Sequence, residues 1–427
     1  MPAAVPASAD VVIVGAGTAG CVLAHRLAQR GDRSILLLEQ GPAELPDDHT
    51  APLSRLPIGP GSRRSRPVPE RRGRPVVRGI GAGGSAAING GYFLRPHVTD
   101  LVDWPGPWPV FAAAAYDAVD GGDDGGGLLH VSAPSDEELG DLPRAFEQYW
   151  LSRGQLAAGG AWPVVGVNRV RSNRVRGRRF TGAHVLAMAG GPPVQGGLTV
   201  QRLVQRDGRI VGVDCGDRQL AAGTVILAAG TLGTAELLRR SGIGESHVTV
   251  HEHAELFVRF TPRRPLSAPA LLQSVLHTAD GLEVRCYGDD FGRFIDGEPL
   301  RGVPIGVADL AEPVAGSFGS DGLDLGEPTA ESLERLHTAA GRVVEMLGGE
   351  EFAELVEPGS IEIDPVIGMN QHALGSLPLG EALDPFGGVP GVAGLHVVDA
   401  SVLPPHLRSG PHASVAMVAW ALGSLLP

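Results

Sequence analysis

Three glycines and one acid carry the first chemical signal. Gly15, Gly17 and Gly20 stand at the spacing G-x-G-x-x-G directly after the apolar run Asp10–Val14. The first allows a tight turn, the second a close backbone approach to a pyrophosphate, and the third close packing of the next helix on the strand. Thr18 and Ala19 fill the gap before Gly20, beside the N-terminus of a helix expected over Cys21–Arg30. That helix end directs unsatisfied N–H groups at the loop and favours an anion. A second apolar strand, Ile35–Leu38, ends on Glu39, placed to accept hydrogen bonds from ribose hydroxyls. Strand, loop, helix, strand and acid together specify a dinucleotide site. At this point NAD and FAD fit it equally.

Three later stretches repeat the theme. Gly83-Gly84-Ser85 runs through two alanines and an isoleucine to Asn89-Gly90-Gly91. It reads as a loop leading into a helix, its backbone close to something large and flat. Ser85 and Asn89, four apart, would share a face of that helix. Thr224–Leu227 is another buried strand, running through Ala229 and Gly230 into a helix. Near the end, a strand closes on Asp399 and Ala400, and Pro404–Pro411 turns the chain. An apolar helix over His412–Leu426 follows, its positive N-terminus (Pro411, His412, Ala413) directed into the cofactor site.

The elements between must hold these stretches. His251–Pro365 alternates apolar and polar residues at Glu255–Phe260, Leu282–Tyr287 and Ile305–Leu310, with a helix at Thr329–Leu347. That is the pattern of an antiparallel sheet backed by helices. Leu142–Arg153 has helical spacing and suits a lid or cap. Leu198–Val200, Leu203–Val204 and Ile210–Asp214 read as short strands around the turn Asp207-Gly208, and Gly121–Gly127 as a flexible acidic linker. The expected division is a nucleotide-binding domain over residues 8–250 with cap or lid insertions at about 100–195. A substrate domain over 251–365 and a return to the first domain over 366–427 complete it.

Composition sets the outer limits. The chain has 427 residues, 43% of them hydrophobic, and a formal net charge of −13, which argues against a nucleic-acid protein. It contains no lysine. Arg55, Arg63, Arg64, Arg66, Arg71, Arg72 and Arg74 crowd the loop Leu45–Pro75, as a solvated surface or a site for an anionic partner. Cys21, Cys215 and Cys286 show neither metal-ligand spacing nor a disulfide framework and suit packing in a reducing cytoplasm. No apolar run reaches the ~18 residues of a membrane span, and Met1–Ala9 does not read as a signal peptide. The expected location is cytoplasmic, at most peripheral to a membrane.

Taken in order, these blocks resemble the glucose–methanol–choline (GMC) flavoprotein oxidoreductases. The matching residues are Gly15–Gly20 with Cys21-Val-Leu-Ala, and Gly83-Gly84-Ser85 to Asn89 followed by Arg95-Pro96. Val225–Gly230 with Ser241-Gly242-Ile243-Gly244, and Leu395–Pro404, complete the set. The resemblance implies an α/β fold: a discontinuous Rossmann-like FAD-binding domain and an α+β substrate domain on an antiparallel sheet. It resolves the dinucleotide as FAD, since NAD would leave the later blocks idle. It implies Gly15, Gly17 and Gly20 at the pyrophosphate and Glu39 at the ribose. Gly83, Gly84, Ser85, Asn89 and Gly90 would lie along the pyrophosphate and isoalloxazine, and backbone near Val204 at adenine. Ala229, Gly230, Asp399 and Ala400 would lie at the ribityl-pyrophosphate, and Pro411, His412 and Ala413 at the pyrimidine end. The family's covalent attachments use a histidine just before the second glycine block; only His49 stands near there, in a Pro/Asp-rich loop, so FAD is expected to be non-covalent.

The family oxidises alcohols, which takes a hydride and a hydroxyl proton, and the proton's base is most often histidine. His372, in Asn370-Gln-His372-Ala-Leu-Gly375-Ser376, resembles the family's catalytic stretch; His412 is the second candidate. The family carries a second His or Asn just before the last helix, but alignment on Pro411 puts Gly410 there. His251 and His253 read as structural. The expected protein is a dehydrogenase; the alternatives are an O2-using alcohol oxidase and a flavin-binding module impaired in catalysis. Compactness and the Gly-Gly-Tyr-Phe and Gly-Pro-His-Ala stretches also resemble the mycofactocin-associated members. That resemblance implies reduced mycofactocin, or another small hydroxyl substrate, as donor and a quinone or respiratory-chain component as acceptor.

Overall fold

The computed structural model describes residues 5–47, 51–74 and 76–426, so His49 lies outside the described residues. Ser8–Val14 is the central strand of a parallel sheet, between Ile35–Leu38 and Gln219–Leu227; Val194–Gln195 and Leu395–Val397 add to its two sides. Val11, Val12 and Ile13 are buried on both faces, as a continuous β-branched run requires. The antiparallel hairpin Arg202–Arg206 with Arg209–Asp214 extends the edge.

The first helix spans Thr18–Ala28, starting three residues earlier than the sequence suggests, and crosses the last, His412–Leu425. Both lean on missing side chains. A Cβ at Gly20 would lie 1.9 Å from the Gly15 carbonyl oxygen, and one at Gly423 2.7 Å from the Arg26 side chain. Gly20→Ala is therefore expected to cost roughly 1–3 kcal/mol of stability by overpacking; an unchanged melting temperature would contradict this close helix–strand packing.

The second sheet is antiparallel: Glu362–Ile363, Ala254–Phe260, Val303–Asp309, Leu282–Tyr287, Leu272–His277 and Gly166–Arg169. Period-2 alternation splits its faces. Leu256, Val258, Phe260, Val284, Cys286, Ile305 and Val307 pack with helix Ala330–Leu347. Glu255, Phe257, Glu283, Arg285 and Tyr287 occupy the other face, with only Pro304, Gly306 and Ala308 on the central strand between them. Helix Asp141–Ser152 is not a lid: Leu142, Phe146 and Tyr149 are buried in the same core, making it a second backing helix.

Four local expectations are corrected. Leu198–Val200 is not a strand but runs irregularly beside the first sheet. The second glycine block forms a single 3-10 turn, Gly84–Ala87. In it Ser85 Oγ accepts from the Gly79 N–H while the Asn89 side chain turns to Gly91 and His412, so the two do not share a face. Gly121–Gly127 is tied down: Arg171 donates to the Gly122 carbonyl at 2.7 Å, and Asp123 accepts from the Ala161 N–H. In the arginine-rich loop, Arg71 pairs with Asp321 and Arg72 with Asp324 and Glu327, strapping it to the hairpin Val314–Gly319 and Gly322–Asp324 and the residues just after, while Arg74 pairs with Glu70 inside the loop. The three cysteines are free and buried.

Candidate active site

The two glycine blocks meet back to back. The Gly83 N–H donates to the Ala16 carbonyl, and a Cβ on Gly84 would lie 2.7 Å from Gly17 Cα. Glu39 joins them: its buried carboxylate accepts from the N–H groups of Ala16, Gly41 and Gly81, each at 2.9 Å. Three of about four acceptor positions are used, which leaves one for a hydroxyl. The helix beginning at Thr18 is capped only by Gly17, and the helix beginning at His412 only by Pro411. Neither has a side-chain cap or an acid in its first turn. Two uncapped helix N-termini and a cradle of small residues fit an extended, doubly anionic cofactor such as FAD.

Val204 and Asp399 have the following surroundings. Val204 lies on the edge strand Arg202–Arg206, with three strands between it and the Glu39 strand. The stretch that borders Glu39 is Val194–Leu198: the Glu39 N–H donates to the Gln195 carbonyl, and the Leu198 N–H to the Glu39 carbonyl. Asp399 is spent inside the protein. One oxygen accepts from the Ser401 N–H and hydroxyl, the other from the Gly230 N–H and the Thr234 hydroxyl. Its carboxylate thus caps helix Gly230–Arg240, entered through Ala229, and anchors the turn at Ala400. Only its backbone is left to offer a cofactor.

His372 and His412 are not a pair. His412 Nδ1 is 3.3 Å from the Tyr92 carbonyl and 3.4 Å from Asn89 Nδ2, and its ring packs edge-on against Phe93. Burial lowers its pKa to about 4. The partner of His372 is His253, read from sequence as structural: their Nδ1 atoms are 3.3 Å apart. Glu252 fixes the arrangement, its buried carboxylate accepting from the backbone N–H groups of His253, His372 and Ala373. These three side chains lie close enough to surround a cation, but Glu252 is already occupied as a backbone clamp. Thr231 ties the next helix to the same loop through the Ala373 carbonyl.

Burial, reinforced by Arg285, lowers the His372 pKa well below the ordinary histidine value; burial lowers that of His253 to about 3. Both rings are therefore neutral, and the short Nδ1–Nδ1 contact holds one proton. With that proton on His372, its Nε2 carries a free lone pair and can act as a base. Gly410, not His412, stands before that nitrogen: a Cβ there would be 3.3 Å from His372 Nε2. His253→Phe is expected to lower the rate of flavin reduction by substrate about tenfold or more while flavin stays bound. An unaltered rate would remove His253 as the group orienting His372.

A buried polar network, absent from the sequence reading, lies beyond. Glu283 accepts from Tyr92 Oη at 2.6 Å, Arg285 Nε at 2.6 Å and His277 Nε2 at 2.8 Å; Glu255 accepts from Tyr287 Oη at 3.0 Å. The available signal was a pair of charged residues, Glu283 and Arg285, at alternate positions of a strand buried along its whole length.

Family comparisons agree with this architecture. Models described as GMC oxidoreductase match residues 174–257 and 333–419, and a NAD(P)-binding Rossmann-like domain matches residues 13–43. An uncharacterized GMC-type oxidoreductase in the thcA 5′ region of Rhodococcus erythropolis is 30% identical over 499 aligned positions, covering 98% of both chains. The oxygen-dependent choline dehydrogenase of Vibrio vulnificus is 28% identical over 60% of this chain and 54% of its own. The crystal structure of pyridoxine 4-oxidase from Mesorbium loti has the same fold, with a TM-score of 0.82 at 22% identity over 98% of this chain and 99% of that one. With the paired glycine blocks and near-complete alignment to a GMC-type relative, the chain belongs to the GMC oxidoreductase family, whose members bind FAD.

Proposed function

We propose that the protein is an FAD-dependent dehydrogenase that oxidises a hydroxyl group, with His372 as base. The observation that carries this is the placement of His372: Nδ1 held by His253, Nε2 open beside Gly410. FAD, when bound, supplies the hydride acceptor. We place its pyrophosphate at Gly15, Gly17, Gly20, Gly83 and Gly84, its ribose at Glu39 and its pyrimidine end at the helix beginning at His412, without a covalent link. In this reading residues 8–250, apart from the insertions at about 100–195, and 366–427 form mainly the cofactor domain. Residues 251–365 form mainly the substrate domain, with Asp141–Ser152 and Gly166–Arg169 packed into it.

His372 Nε2 takes the hydroxyl proton. The resulting imidazolium keeps its Nδ1–H on His253. Since the base is active when neutral and burial lowers its pKa, flavin reduction should be flat through neutral pH and fall only below the ordinary histidine value of about 6.5. An acid limb at or above that value in stopped-flow traces would count against His372.

Within this class, the mycofactocin-associated resemblance makes reduced mycofactocin the first donor to try, with a quinone or other respiratory component as acceptor. The test is anaerobic: yellow protein mixed with reduced mycofactocin or simple alcohols should bleach, then re-oxidise faster with a quinone analogue than with air. Absence of bleaching with every donor would favour a flavin-binding module. Faster re-oxidation by air would favour an oxidase.

A further inference from the structure

The strongest unused feature is the hollow at Gly410. A Cβ there would lie 3.2 Å from Tyr92 Cδ1 and Cε1 as well as 3.3 Å from His372 Nε2. The Tyr92 ring and the base thus converge on one point, and any side chain at position 410 would press on both. Tyr92 cannot easily withdraw. Its hydroxyl donates to Glu283, which is itself held by Arg285 and His277, and its backbone carbonyl lies beside His412. Tyr92 also borders an apolar cluster of Leu94, Leu272 and Tyr287, with Phe257 and Phe291 alongside.

We propose that Tyr92 is a specificity-determining residue: it fills the room left by Gly410, and its fixed ring limits substrates to those whose reacting carbon is unbranched. The inference rests on the function proposed above. A wall that cannot move rejects an added methyl group more strongly than a flexible one. A methyl-sized difference in an apolar site is worth about 10–200-fold in rate. Primary alcohols should therefore reach His372 and their α-methyl homologues should not. The ring is the active part of this wall and the hydroxyl its anchor, so phenylalanine should preserve the preference.

The test has two readouts on the flavin-loaded protein. Anaerobic reduction by benzyl alcohol and by 1-phenylethanol is measured for wild type, Tyr92→Phe and Tyr92→Ala. Wild type and Tyr92→Phe should favour benzyl alcohol by at least about tenfold, and Tyr92→Ala should erase most of that difference. Reduction by neither alcohol in wild type with gain of 1-phenylethanol in Tyr92→Ala also supports the proposal. Equal use of both alcohols by wild type, an unchanged preference in Tyr92→Ala, or no reduction in either protein overturns it. If wild type also fails to bleach with every other donor, the proposed function fails with it; bleaching by another donor confines the failure to Tyr92. Thermal melting supplies the independent readout. Gly410→Asn should lower the melting temperature, and Tyr92→Ala in the same chain should recover it. Strictly additive losses would show that the two positions do not share the hollow and overturn the proposal.

Discussion

His372→Ala should leave a yellow protein whose flavin no longer bleaches with substrate. The expected loss is about 10²–10⁴-fold in the rate of flavin reduction, the usual contribution of a positioned general base. Flavin content and visible spectrum should stay near wild type. The Glu252 clamp engages the backbone of residues 372 and 373, which survives the substitution. Rapid mixing separates the reductive step from re-oxidation, and unchanged reductive kinetics would end the assignment. His412→Ala makes a useful contrast. Its ring contacts Tyr92 and Asn89, so it should disturb flavin affinity or spectrum more than the chemical step.

Asp399→Ala should be the most damaging single change outside the chemistry. It removes a buried carboxylate that accepts from four donors: the Gly230 and Ser401 N–H groups and the Thr234 and Ser401 hydroxyls. Leaving a buried donor without a partner costs about 1–3 kcal/mol, so the loss of all four is expected to cost at least roughly 4 kcal/mol. Thermal unfolding of the flavin-free protein measures this directly. Asp399→Asn, which keeps the shape and half the acceptors, should lose less. A stable Asp399→Ala protein with weak FAD binding would instead make the carboxylate a direct cofactor contact.

The parts legible in the sequence were those where one local pattern has one physical meaning. Asp10–Glu39 is such a case: a β-branched run, glycines at fixed spacing and a terminal acid occur together because strand, turn and helix must all fit one pyrophosphate. The alternation at Ala254–Phe260 and Leu282–Tyr287 was equally plain, since period 2 admits few other folds. What stayed hidden was partnership across the chain. His253 and His372 are adjacent only because the turn after His247–Glu252 meets the Asn370–Ser376 loop, and no spacing records that. The Asp399 carboxylate is likewise met by the Thr234 and Ser401 hydroxyls, and the partnership with Thr234 is one that no spacing records. That Leu198 bonds the Glu39 backbone is equally a matter of three dimensions, which no spacing in the sequence records. The lid or cap expected over Leu142–Arg153 shows the same limit, for an amphipathic helix does not name the surface that covers its apolar side.

Pairing of Leu395–Val397 with Gln219–Leu227, and of helix His412–Leu425 with Thr18–Ala28, has a consequence for biogenesis. The cradle is assembled from segments far apart in the sequence, so the nascent chain carries its glycine loop through synthesis of all the residues between them with that side open. Until helix His412–Leu425 has been made, the side of helix Thr18–Ala28 that it covers stays exposed to aggregation or chaperone capture. Cofactor loading is thereby a late checkpoint, and an interrupted chain lacking residues beyond 394 should emerge colourless.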